Sequence, residues 1–129
     1  APNGNIEVLP GVDSHGALVR LGGDERLYRR LLGMFRDREG EFGANFSKAC
    51  ATGDSIRATR LAHDLKSVAG TLGAQALSEA AEALERACKQ GVDGPEVQAA
   101  FGAVCEKLEP VIDGLRAVKP GADREASVG

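Results

Sequence analysis

The chain has 129 residues, a formal net charge of −3, 43% apolar residues, 27% charged residues and only 4% aromatics, with no Trp. That length supplies one hydrophobic core rather than a large two-domain enzyme. The acidic balance and the scarcity of aromatic rings exclude the basic field and stacking platform of a nucleic-acid binder, and no run approaches the roughly 18 apolar residues of a membrane span.

Residues 1–11 hold two Pro and two Gly without hydrophobic periodicity and read as a linker or arm. Asp13 or Ser14 is a capping residue for a short helix, Ser14 to Leu21, which Gly22-Gly23 ends. Asp24 then caps a longer helix, Glu25 to Ala49, with Leu27, Leu31, Met34, Phe35, Phe42 and Phe46 spaced mostly by three and four. Gly33, Gly40 and Gly43 weaken this helix and mark places for a bend or a close approach.

Gly53-Asp54 is a stop followed by a cap, and a helix runs from Asp54 to Thr71. A turn at Leu72-Gly73 leads to a helix from Ala74 to Lys89, with Leu77, Ala80, Ala81, Leu84 and Cys88 facing inward. After the loop Gly91 to Gly94, Pro95 opens a last helix carrying Val97, Phe101, Val104, Leu108, Val111, Ile112 and Leu115. Pro110 is expected to kink or restart it. Residues 119–129 read as a flexible polar tail. No segment reads as a strand. Short loops favour antiparallel neighbours, so the expected fold is all-α: an up-and-down four-helix bundle over residues 12–118, with a short extra N-terminal helix. With the apolar residues assigned to its interior, a monomer is expected.

Cys50, Cys88 and Cys105 form no CxxC or Cys/His pattern and read as reduced thiols of a cytosolic protein. The two histidines, His15 and His63, lack the Glu-x-x-His pairs of a bundle metal site, so no metal or other cofactor is expected. A G-x-S-x-G elbow, a phosphate-binding P-loop and a kinase glycine loop are all missing, which argues against a serine hydrolase and against ATP binding by this chain.

The informative segment is Leu61-Ala62-His63-Asp64-Leu65-Lys66-Ser67-Val68-Ala69-Gly70. At about 100° per residue, Ala58, Leu61, Ala62, Val68, Ala69 and Leu72 cluster around Leu65, while His63 falls almost opposite. Lys66 follows one turn on, and the small residues Ser67 and Gly70 leave the surface beside the imidazole bare. Spacing alone is compatible with a merely solvated histidine. It is also compatible with a nucleophile, because the neutral imidazole is well populated near neutral pH. Attack on a phosphoryl group would give an N-phosphohistidine, with Lys66 offsetting phosphoryl charge. Arg57 and Arg60 add positive charge that would orient an acidic partner.

The run from Leu61 to Leu77, with His63, Lys66, Gly70 and Leu72-Gly73-Ala74, resembles histidine-containing phosphotransfer (HPt) domains. Leu21-Gly22-Gly23-Asp24, Leu27-Tyr28 and Leu31-Leu32-x-x-Phe35 resemble the opening segment of that family, and the likeness spans roughly residues 12–117. It implies a four-helix bundle in which His63 is the phosphorylated residue, Lys66 the supporting lysine and Gly70 the small residue two turns on. Ser67 departs from the glycine most common in the family, but it too is small. The resemblance further implies a phosphorelay intermediate. His63 would accept phosphate from a receiver-domain aspartate, often in a hybrid sensor kinase, and pass it to a response regulator. The magnesium ion would belong to the receiver. A start at Ala1 fits the cytoplasmic C-terminal module of such a kinase, and a free-standing shuttle would read the same way. Two other readings share the fold: a receiver-binding module that is never phosphorylated, and the histidine-bearing domain of a chemotaxis-type kinase.

Overall fold

The computed structural model describes residues 11–117. Apart from Gly11, the expected linker lies outside the described residues, and so does the expected tail. Six helices follow one another: α1 (Ser14–Arg20), α2 (Glu25–Glu39), α3 (Phe42–Ala51), α4 (Ser55–Leu72), α5 (Gln75–Lys89) and α6 (Pro95–Ala117). No strand occurs among the described residues. None of their helices is long and apolar enough to cross a membrane. The pair α2–α3 fills one position of a four-helix bundle completed by α4, α5 and α6, and α1 packs on α2 and α4.

The helix starts follow from capping chemistry. The Asp13, Asp24 and Asp54 carboxylates accept from the backbone amides of Gly16, Leu27 and Arg57, each at 3.0 Å. Each satisfies a donor that the first helical turn leaves free.

Three expectations need correction. The single helix over 25–49 is broken at Gly40-Glu41. Glu41 leaves helical geometry at φ −97°, ψ 1°. A Cβ on Gly40 would lie 2.9 Å from the Arg36 carbonyl oxygen and 3.1 Å from the Arg116 guanidinium, so glycine here admits an arginine from α6 against the break. Gly43 has nothing within 4 Å of its Cβ position and has no such role. The inner face of α2 is also shifted: Tyr28, Leu32 and Phe35 are buried, whereas Met34 is 56% exposed. Pro110 does not restart α6, which continues through it. Pro110 and Glu106, the residue one turn back whose carbonyl loses its donor, both face solvent, and Val104, Leu108, Val111, Ile112 and Leu115 hold the two halves in the core.

The end of α4 is fastened from two sides. Gly73 takes φ +92°, and the amide of Ala74 reaches back to the Ala69 carbonyl at 2.8 Å, a left-handed cap that glycine adopts without strain. The Asp13 amide donates to the Gly73 carbonyl at 2.8 Å. The buried Tyr28 hydroxyl donates to the Leu72 carbonyl, also at 2.8 Å. Thus α1 and α2 fix the C-terminal end of the helix that carries His63. At the other end of the bundle, the rings of Phe42, Phe46 and Phe101 pack with centroids 4.7–6.2 Å apart.

Glu39 is buried at the C-terminal end of α2, where the helix dipole disfavours a carboxylate. Burial pushes its carboxyl up; Arg38 opposes that shift and Asp64 adds to it. A raised folded-state value means that the charged form is penalised in the fold, and the penalty appears as pH rises through that value. Glu39→Gln is therefore expected to raise the melting temperature at neutral pH. The gain should shrink as pH falls through the raised value and be gone below the ordinary carboxylate value of 4.5. Thermal unfolding of both proteins across pH checks this, and a neutral-pH melting temperature no higher than wild type contradicts it.

Candidate functional site

His63 is placed by the burial pattern of its own helix. Ala58, Ala62, Leu65, Ala69 and Leu72 line the core side of α4, which turns residue 63 outward. The His63 side chain is 53% exposed. Three of those five core residues are alanine, which lets the neighbouring helices come close to α4.

The ring is held by a residue that the sequence does not single out. Glu85 of α5 is buried, and its Oε2 lies 3.0 Å from His63 Nδ1. Its Oε1 accepts from Lys66 Nζ at 3.1 Å, and Lys89 Nζ stands 3.7 Å from Oε2. Burial acts to raise the Glu85 carboxyl, but hydrogen bonds from Lys66 and His63 and the charges of the same two groups outweigh it, leaving the carboxyl below its ordinary value. An ionised carboxylate only accepts hydrogen bonds. Nδ1 must therefore carry the proton that is donated to Glu85. This selects the tautomer in which Nε2 holds a free lone pair on the exposed side of the ring.

Lys66 and the His63 ring keep Glu85 ionised despite its burial, and a carboxylate buried without them would be costly. Lys66, expected to face the phosphoryl oxygens, has its ammonium on Glu85 in this arrangement. The structure thus adds a second task for it, orienting the carboxylate that orients the imidazole.

The remaining predicted residues separate. Ser67 is exposed next to His63 on α4. Gly70 is half-buried, and a Cβ there would approach Ser78 Oγ at 3.4 Å. The same Ser78 hydroxyl donates to the Lys66 carbonyl at 3.0 Å, so Gly70 lies where α5 passes close to α4. The Gly70 carbonyl accepts from Arg20 at 3.2 Å. Arg60 lines a groove with His63, Glu85 and Lys89, whereas Arg57 is exposed outside it. Cys88 also lines the groove; burial raises its thiol to about 11 and the charge of Cys50 acts in the same direction, so it is a poor nucleophile. Among the described residues, no group of three or more His, Cys, Asp or Glu side chains is arranged to hold a metal ion.

The result is a helical bundle that presents the His63 imidazole outward, fixed by a buried carboxylate and flanked by cations. The Hpt domain family model matches residues 30–118, beginning inside α2, and the chain belongs to that family. Hpt domains carry out histidine phosphotransfer in two-component phosphorelays and interact there with receiver domains. The fold is similar to that of the HPT domain of a sensor hybrid histidine kinase from Shewanella. The TM-score is 0.73 at 17% identity, covering 85% of this chain and 94% of that one. At that identity the likeness speaks for the fold. No curated protein is a significant match.

Proposed function

We propose that this domain is a phosphorelay intermediate whose carrier atom is His63 Nε2. The supporting observation is the 3.0 Å contact between His63 Nδ1 and Glu85 Oε2, which in the neutral ring puts the proton on Nδ1 and leaves the Nε2 lone pair free. The donor is a phospho-aspartate on a receiver domain. The Nε2 lone pair attacks phosphorus from the side opposite the aspartyl oxygen, the N–P bond forms as the P–O bond breaks, and the aspartate leaves as a carboxylate. The proton on Nδ1 stays in place, so the product ring is cationic, and the Glu85 carboxylate stabilises that charge as it develops. Reversal of the same step on a response-regulator aspartate discharges the histidine. Lys66 and Lys89 hold Glu85 in position and offset phosphoryl charge once a partner excludes water. Ser67 leaves the approach to the ring open. The domain acts as a monomer and needs no cofactor of its own; the magnesium ion sits on the receiver.

Incubation with a phosphorylated receiver domain is expected to label the wild-type protein with a base-stable, acid-labile phosphate. His63→Gln should take up none while keeping its helical signal and melting temperature, since residue 63 lies outside the hydrophobic core and the glutamine amide can still donate to Glu85. Undiminished uptake by the variant would move the acceptor elsewhere. A wild-type protein that binds receivers but takes no phosphate would be a receiver-binding module.

A further inference from the structure

Val19, Met34 and Ile56 are the exposed large apolar side chains among the described residues. Ile56 is the most exposed of them, at 74%. It occupies the first turn of α4 and shares a groove of about 470 Å³ with His63, Arg60, Lys89, Glu85 and Thr59. On the helical wheel Ile56 lies within about 20° of His63, and seven residues at 1.5 Å rise separate them by about 10 Å along the axis. Ile56, Arg60, His63 and Ser67 therefore form one exposed strip on α4.

The polar groups of this groove are unevenly committed. Glu85 is already engaged by His63 and Lys66, with Lys89 Nζ farther off at 3.7 Å. Arg60 is exposed, and the Lys89 side chain is 61% exposed. The walls thus present cations around the imidazole, with one apolar side chain two turns toward the start of α4. A complementary surface carries carboxylates at its centre and an apolar side chain about 10 Å away along the α4 axis.

We infer that Ile56 is the apolar anchor that selects the receiver domain, whose acidic phospho-aspartate face fits this groove. The inference rests on the relay reading for its choice of partner. Arg60 and Lys89 guide the approach and set its dependence on salt, because rim charges act mainly on association rate. Ile56 holds the docked complex, because an apolar side chain sealed from water acts mainly on dissociation.

The test uses Ile56→Ser and Arg60→Ala in the intact chain, with purified receiver domains charged by acetyl phosphate and magnesium. Binding is followed by association and dissociation kinetics at several salt concentrations. Phosphoramidate, a donor too small to need docking, reports whether His63 remains reactive. Ile56→Ser is expected to weaken receiver binding at least ~10-fold through faster dissociation, with an unchanged salt slope. Its KM for the phosphorylated receiver should rise with little change in kcat, and its labelling by phosphoramidate should match wild type. Arg60→Ala should slow association and flatten the salt slope. Wild-type affinity and KM in Ile56→Ser overturn the inference, as does a wild-type protein that phosphoramidate labels but no receiver in the panel binds. Weakened binding by Ile56→Ser to a receiver that never phosphorylates wild-type His63 would sustain the docking surface and overturn the relay reading instead.

Discussion

Glu85→Ala is expected to slow phosphoryl uptake by His63 about 10²-fold, the size of effect typical of losing one group that stabilises charge developing in the transition state. The variant loses three things together. The Nδ1 proton has no acceptor at 3.0 Å, so the tautomer with Nε2 protonated and unreactive gains population. The positive charge that develops on the ring has no carboxylate beside it. Lys66 loses its 3.1 Å partner and with it its position. The bundle should remain folded, because Lys66 and Lys89 reach solvent once released. Glu85→Gln should be milder, about 10-fold, because the amide oxygen still accepts from Nδ1; its NH2 group, however, favours the wrong tautomer when turned toward the ring. Nitrogen-15 shifts of the His63 ring separate orientation from folding: they should show Nδ1 protonated in the wild type and a mixture in Glu85→Ala. Wild-type transfer rates in Glu85→Ala would remove the carboxylate from the account. The same pairing predicts a pH effect. The Glu85 carboxyl is held below its ordinary value of 4.5, so its stabilising contribution is complete above that pH and is lost as pH falls through the folded-state value. The stability difference between wild type and Glu85→Gln should vanish in that acid range.

Gly73→Ala is expected to destabilise the domain by at least ~2 kcal/mol, at the upper part of the range for a strained backbone residue. Its φ of +92° is one that alanine adopts poorly. The added Cβ would also run into the carbonyl of Asp13, which is backbone and has little room to yield. Relief of that clash would move the start of α1 off the end of α4 and break the hydrogen bond from the Asp13 amide to the Gly73 carbonyl. Because this junction anchors the His63 helix, the variant should also lose transfer activity on warming before wild type does. Denaturant unfolding measures the effect, and a loss within about 0.5 kcal/mol, the range of an ordinary surface substitution, would contradict the reading of this junction.

The position of His63 is legible in the sequence because one amphipathic helix determines it: the apolar stripe centred on Leu65 points the imidazole outward without reference to any other element. Asp24, Asp54, Gly53 and Gly73 are legible for the same reason, since capping is local chemistry. Glu85 is not. It stands 22 positions from His63, beside Leu84 on a helix with other glutamates, and only the register of α5 against α4 distinguishes it from a solvated carboxylate. The break at Gly40 is equally hidden among three similar glycines, because the arginine that crowds Gly40 comes from α6. Met34 fits the inward spacing of α2 as well as Tyr28 does, and the hydrogen bond from Tyr28 to Leu72 belongs to the register that buries Tyr28 and leaves Met34 in solvent. Arg57 and Arg60 look equivalent as charges in the sequence, yet three residues leave them about 60° short of a full turn on the helix, and Arg60 is the one that enters the groove.

The most direct test of the central claim is phosphorus-31 and nitrogen-15 NMR of the protein after it has been charged by a phosphorylated receiver. The account predicts a phosphoryl group on Nε2 of His63, with Nδ1 still protonated and bonded to Glu85. A phosphoryl group on Nδ1, on another residue, or on no residue of a folded protein would contradict it.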